Sequence, residues 1–184
     1  MEVRTVAGGH DIRFSDDDGP QSGIQRITIV GGGSGTVRVL GSTTYLKADQ
    51  TALAGYFGLP AQAAKRAANR WLSLVHSDSG YANVTEGVLL SSAISELTIS
   101  SPLRLLPPQP RDGSTVVGVV GGAGGHAPAG AKATLWVDAS TGLPVEYDAS
   151  AAGGDSITSR MSAWGQPVAV TKPAASTSIS RFGG

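Results

Sequence analysis

The chain has 184 residues, in which 14 acidic side chains balance 14 basic ones, and it contains no cysteine. A neutral chain without a basic cluster lacks the electrostatic footprint of nucleic-acid binding, and the absence of cysteine excludes disulfides, thiol nucleophiles and cysteine-bound zinc. The length suits one domain with its own apolar core, and no apolar run approaches the roughly 20 residues of a membrane-spanning helix.

The first quarter of the chain alternates in the manner of β-strands. Two predicted strands each place a pair of apolar residues on one face: Ile27 and Ile29 within residues 24–30, and Val37 and Val39 within residues 36–40. Turn-forming residues at 15–20 and 31–35 favour hairpin connections on either side of the first strand. The pattern predicts a β-meander at the start of the fold.

The period becomes helical at Asp49, a residue type that caps helix N-termini well. Leu53, Tyr56 and Phe57 follow at i, i+3 and i+4, which places them on one side of a helix. Gly58 then favours the end of that helix. We therefore predict a short amphipathic helix here.

Two more helices are predicted before the chain returns to strands. An alanine-rich segment at 61–69 favours the second helix. A third is predicted at 84–96, where Leu90, Ile94 and Leu97 share one side. A helical region therefore interrupts the sheet.

A second β-meander is predicted in the remainder of the chain, with strands at residues 115–120, 132–138, 145–149, 156–163 and 167–171. The clearest alternation places Leu135 and Val137 on one face. Toward the C-terminus the residues become small and polar without an apolar pattern. We expect one domain over residues 1–173, followed by a disordered tail at 174–184.

The order of strands, helices and strands predicts an α+β fold: one curved antiparallel sheet, a half-open β-barrel, with the central helices packed in its concave face. The apolar side chains then form either a closed, dry core or a cavity between helices and sheet that binds an apolar ligand. In the second case the predicted ligand-binding residues are Leu53, Tyr56, Phe57, Leu90, Ile94 and Leu97 on the helices and Ile27, Ile29, Val37, Val39, Leu135, Val137, Tyr147 and Met161 on the sheet.

The sequence contains no convincing catalytic or metal-binding motif. The glycines at 31–35 lead into a strand instead of the helix that a dinucleotide-binding loop requires. The run from Gly154 to Ile157 resembles the nucleophile block of GDS-type hydrolases, but no histidine follows it as a base. We therefore predict no metal, no cofactor and no enzymatic activity, with a hydrolase acting through Ser156 as a minor alternative.

Four segments together resemble actinobacterial lipoproteins of the LppX and LprG type. They are residues 37–47, 69–72, 135–138 with 141–145, and 164–173, and the likeness covers residues 24–173. That family resembles the LolA and LolB carriers, which are half-open β-barrels with helices over the mouth. The resemblance implies an apolar cavity for acyl chains and a role in binding or transferring a lipid or acylated glycolipid.

The resemblance also implies a place in the cell envelope, outside the cytoplasm, either anchored or secreted. The sequence shows neither a signal peptide nor the lipid-modified cysteine of that family, so we expect a membrane anchor, where there is one, to lie outside it. We expect a monomer. The alternative function is a structural or interaction protein of the envelope with a filled core, for which Tyr45 and Trp136 would form an exposed aromatic pair.

Overall fold

The computed structural model describes residues 1–124, 127 and 130–183. The chain folds into two compact units: unit 1 comprises Met1–Asp11 and Ile94–Gln166, and unit 2 comprises Ile12–Ala93 and Pro167–Gly184. The predicted single domain over residues 1–173 stays a prediction.

The strands of the described residues are, in chain order, β1 (Glu2–Ala7), β2 (His10–Asp18), β3 (Ser22–Ile29), β4 (Gly33–Leu40), β5 (Thr43–Ala48), β6 (Leu72–Val75), β7 (Ile99–Leu105), β8 (Gln109–Arg111), β9 (Ser114–Ala123), β10 (Lys132–Asp138), β11 (Pro144–Ser150), β12 (Ser156–Arg160) and β13 (Thr177–Ser178). The α-helices are α1 (Gln50–Gly55), α2 (Ala61–Ala67), α3 (Tyr81–Thr85) and α4 (Leu90–Ser95), and a 3₁₀ helix spans Ile179–Phe182. The unit boundaries fall inside β2 and α4. The α+β class and the prevalence of antiparallel strands are confirmed.

Unit 1 is an antiparallel sheet with the strand order β1-β12-β11-β10-β9-β7, and β8 also pairs with β9. Residues that lie directly opposite each other on paired strands place their side chains on the same face of the sheet. Leu135 of β10 faces Val119 of β9 on one side and Tyr147 of β11 on the other. One face of the sheet is therefore lined by apolar residues from three neighbouring strands.

Unit 2 has the strand order β2-β3-β4-β5-β6-β13, and its pairs are antiparallel except for β13, which runs parallel to β6. The predicted alternation is confirmed, because Ile27 and Ile29 of β3 and Val37 and Val39 of β4 are all buried. Helix α1 begins where expected: the Asp49 carboxylate accepts a hydrogen bond from the Ala52 amide at 2.9 Å.

The predicted third helix is divided into α3 and α4. Gly87 between them has φ +76°, a conformation that a helix cannot contain. The following residue, Val88, is fully buried, and its carbonyl oxygen lies so close to Gly23 that a Cβ there would overlap it. The linker packs directly on β3, so burial of Val88 outweighs the local preference for one continuous helix.

Three other predictions about elements differ from the structure. The predicted connection at 15–20 is only partly correct: its acidic residues extend strand β2 to Asp18, with Asp16 buried, and the observed connection comprises residues 19–21. No strand forms at 167–171. The predicted disordered tail contains β13 and the 3₁₀ helix, because Ile179 is buried in the core of unit 2 and Phe182 packs against that core.

Candidate functional site

Five of the predicted ligand-binding residues lie in the closed core of unit 2. These five are Ile27, Ile29, Val37, Val39 and Leu53. The same core contains the fully buried leucines Leu46, Leu72 and Leu74. None of these side chains is more than 9% exposed. This part of the predicted site therefore has the character of the closed, dry core that the sequence left open as an alternative.

The predicted helical residues of the site are dispersed. Tyr56 and Ile94 are 43% and 47% exposed, and Leu90 is half-buried. Phe57 packs against the core of unit 2 and meets the Tyr56 ring edge-on at 5.0 Å between centroids. Tyr56 is the C-cap of α1 and its amide donates to the Ala52 carbonyl, yet its side chain is exposed and does not join the buried face that its spacing predicts.

Unit 1 has a smaller buried cluster, formed by Leu97, Ala133, Tyr147, Ala149 and Met161. Three of these residues are among the predicted ligand-binding set. The Tyr147 hydroxyl donates a hydrogen bond to the Thr98 carbonyl at 3.5 Å, which satisfies its polar end. Burial raises the pKa of Tyr147, so this phenol stays neutral.

Beyond this cluster, the same face of the unit 1 sheet is apolar but incompletely covered. Val117 lies opposite Val137, and Val119 lies opposite Leu135, so these four side chains are cross-strand neighbours. Strand alternation adds Val145 of β11, which shares a face with Tyr147. All five of these aliphatic side chains are half-buried. We call them the apolar face.

Three members of the apolar face are absent from the predicted ligand-binding set. Val145 begins the predicted strand at 145–149, and the other two are Val117 and Val119. Both lie in the predicted strand at 115–120, and alternation alone places them on one side of it. The pairing of that strand with β10 identifies them as neighbours of Leu135 and Val137, and this register is not visible in the sequence.

The opposite face of the unit 1 sheet is closed by an ionic network. The Arg111 guanidinium lies 4.0 Å from the centroid of the Trp136 ring. Arg111 also pairs with Glu146, and Arg160 donates to the same carboxylate at 3.2 Å. Burial opposes ionisation of Glu146, but its hydrogen bonds with Asp148 and the two arginines lower its pKa below the usual value. Glu146 thus holds both arginines at this face.

The exposed aromatic pair expected for an interaction protein does not exist. Tyr45 is 5% exposed and Trp136 is 6% exposed. Room for the Trp136 ring comes from the cross-strand residue Gly118, where a Cβ would stand 2.7 Å from a ring carbon. Both aromatics therefore contribute to packing, and neither offers a docking surface.

Ser156, the serine of the hydrolase alternative, lies on β12, where it is paired with Val6 of β1 on one side and with Ser150 of β11 on the other.

Within residues 1–124, 127 and 130–183, no three metal-ligating side chains converge on one point. Among the helices of that same part of the chain, none has the length and apolar character needed to cross a bilayer.

Comparison with known proteins by sequence finds no matching protein family and no similar curated protein. Comparison by structure finds LprF from Mycobacterium bovis, with 17% sequence identity and a TM-score of 0.51, over 95% of this chain and 89% of that chain. A LolA superfamily protein from Nitrosomonas europaea matches with 16% identity and a TM-score of 0.28, over 83% of this chain and 63% of that chain. The chain therefore has the fold of LprF, as its resemblance to the LppX and LprG lipoproteins predicts.

Proposed function

We propose that this protein binds a lipid or acylated glycolipid and holds part of an acyl chain against the apolar face. The observation that carries this proposal is the incomplete burial of Val117, Val119, Leu135, Val137 and Val145 on one side of the unit 1 sheet. The inward aliphatic side chains of β4 and β5 in unit 2, Val37, Val39 and Leu46, are by contrast fully buried. Each methylene moved from water onto this surface contributes about 0.8 kcal/mol, so an acyl chain gains affinity without many polar contacts.

The fold shared with LprF supports the proposal, because the resemblance to the LppX and LprG lipoproteins implies lipid binding outside the cytoplasm. On this proposal the protein is a non-catalytic, extracytoplasmic carrier in the cell envelope. The sole chemical requirement on the site is shape and apolarity, which matches the aliphatic composition of the apolar face.

The test is native mass spectrometry of the purified protein, followed by extraction and analysis of any bound lipid. The informative variant is Val119→Thr combined with Val137→Thr, which keeps side-chain shape but adds two hydroxyls to the apolar face. We expect a lipid adduct in the parent protein and at least about a tenfold weaker retention in the variant, since each buried hydroxyl without a partner costs about 1 to 3 kcal/mol.

The matched control is Val30→Thr combined with Val75→Thr, because those two valines of unit 2 are 57% and 45% exposed. This control should retain the adduct of the parent protein. A clean apo mass for the parent protein, even after incubation with a total lipid extract of bacterial envelopes, would contradict the proposal. It would favour the structural or interaction protein instead.

A further inference from the structure

Unit 2 has an open groove on the side of its sheet opposite the core. It measures about 440 Å³ and is lined by residues of β3, β4 and β5 and of the segment that leads into β6. The side chains that carry its chemistry are Arg26, Thr28, Ser34, Thr36, Arg38, Lys47, Asn69 and Trp71. The groove is thus polar and basic in a chain whose net charge is zero.

The lining of the groove contains three cationic side chains and one carboxylate, so its cations are only partly neutralised within it. Asp49 is its acidic lining residue, but that carboxylate already accepts hydrogen bonds from the amides of Ala52 at 2.9 Å and Ser34 at 2.6 Å. Arg26 is 3.7 Å from Asp17, and both side chains are more than half exposed, so this ion pair is weak. Among the described residues, Lys47 has no acidic partner.

Arg38 is held in place while one of its donors stays unused. Its guanidinium lies 4.7 Å from the centroid of the Trp71 ring and donates to the Thr171 carbonyl at 2.8 Å. Its Nε atom is buried and has no hydrogen-bond partner among the described residues. A buried donor without an acceptor is costly, and because this Nε atom is closed to solvent, an anion in the groove would be held by the charge of the Arg38 guanidinium and not by this donor.

The register of the sheet sets the spacing of the groups. Thr36 lies opposite Arg26 on one side and opposite Lys47 on the other, so a hydroxyl stands between two cations whose Cβ atoms are about 10 Å apart. Thr28 and Ser34 form the next cross-strand pair and add two hydroxyls. The arrangement offers charge for an anion and hydrogen bonds for a hydroxylated ring.

We propose that this groove binds a phosphorylated sugar or polyol, with the phosphate held by Arg26, Arg38 and Lys47 together and the hydroxyls held by the threonines, Ser34 and Asn69. Arginine and lysine are the side chains that recognise phosphate, and the groove volume lies within the range of small-molecule sites. This proposal does not depend on lipid binding at the apolar face, because its residues belong to unit 2.

The experiment is an NMR titration of the full chain with glucose 1-phosphate, glucose and inorganic phosphate in turn. We expect glucose 1-phosphate to shift the Arg38 Nε and Trp71 indole signals and the amides of β3 to β5, with an affinity that falls as salt is added. Arg26→Gln combined with Lys47→Gln should weaken binding about tenfold for each cationic group that holds the phosphate. Lys65→Gln combined with Arg181→Gln removes two exposed cations of the same unit and should leave binding unchanged.

Equal binding of glucose and glucose 1-phosphate, or of inorganic phosphate and glucose 1-phosphate, would overturn the proposal. So would unchanged binding by the Arg26→Gln, Lys47→Gln variant. A second arm uses phosphatidylcholine vesicles with and without phosphatidylinositol. If the protein binds the phosphatidylinositol vesicles and the double variant does not, the phosphorylated polyol is a lipid headgroup. If the protein binds glucose 1-phosphate but not these vesicles, the ligand is a free compound.

Discussion

The two units treat the apolar faces of their sheets differently. In unit 2 the inward residues Val37, Val39 and Leu46 have no measurable exposure. In unit 1 the corresponding aliphatic residues of β9 and β10 are only half-buried. Both faces follow from the same alternation of apolar and polar residues, so alternation alone does not decide whether a sheet face becomes closed core or accessible surface.

The difference comes from the elements that cover each sheet. In unit 2, α1 supplies Leu53, the α2 alanines pack closely, and the C-terminal 3₁₀ helix adds Ile179. In unit 1, the buried cluster around Leu97 and Met161 is small, and the apolar face extends beyond it. A covered face stabilises its unit, whereas we assign the incompletely covered face to ligand binding.

The largest expected effect tests this contrast directly. Leu46→Ala removes a fully buried side chain from unit 2 and should lower the free energy of unfolding by about 3 kcal/mol. Leu135→Ala removes the same atoms from a half-buried position in unit 1 and should cost about 1 kcal/mol. Urea denaturation measures both, and equal decreases would remove the distinction between the two units.

A smaller effect concerns the half-buried carboxyl group of Asp18 in unit 2. Burial raises the pKa of Asp18 to about 6, and its Oδ1 atom has no hydrogen-bond partner among the described residues. Since this folded pKa exceeds the unfolded value of about 4, the folded chain binds the proton more tightly, and stability is lost as pH rises from about 4 through 6.

Asp18→Asn should therefore raise the free energy of unfolding by about 1 to 2 kcal/mol at pH 7 and remove most of its decline between pH 4 and 7. The matched control is Asp112→Asn, because that carboxyl is exposed and belongs to unit 1. Denaturation series at several pH values compare the two variants. An unchanged pH profile for Asp18→Asn would mean that unit 2 hydrates this carboxyl well.

Local signals in the sequence predict the elements whose causes are local. The N-cap at Asp49, the inward pairs of β3 and β4, and the bounds of β10 depend on neighbouring residues alone, and all are confirmed. The division between α3 and α4 depends on the packing of Val88 on Gly23, which are distant in sequence. Such long-range packing overrides a helical period and could not be predicted.

The candidate site likewise depends partly on local alternation and partly on long-range strand pairing. Alternation predicts that Leu135 and Val137 share a face, but the register with β9 is needed to add Val117 and Val119. The exposure that distinguishes Leu135 from Leu53 depends on which elements cover each sheet. The sequence therefore predicts which residues form the apolar faces, but it does not predict which of these residues are buried in a core and which stay accessible.

The smallest expected effect tests whether the buried core of unit 2 depends on the N-cap of α1. The Asp49 carboxylate accepts hydrogen bonds from the start of α1 and from Ser34 of β4, and it thereby fixes the helix that carries Leu53 to the sheet. Burial opposes its ionisation, but these hydrogen bonds lower its pKa, so its contribution is present above about pH 4 and is lost as pH falls through the lower folded pKa.

Asp49→Ala should cost about 1 kcal/mol at pH 7, whereas Asp49→Asn keeps a capping oxygen and should cost less. Hydrogen exchange would show which amides lose protection. We expect the Leu53 amide, which bonds to the Asp49 carbonyl, to exchange faster in the alanine variant, while the β10 amides of unit 1 keep their rates. Faster exchange in β10 as well would mean that the two units unfold together, and the contrast between them would then concern burial and not independent stability.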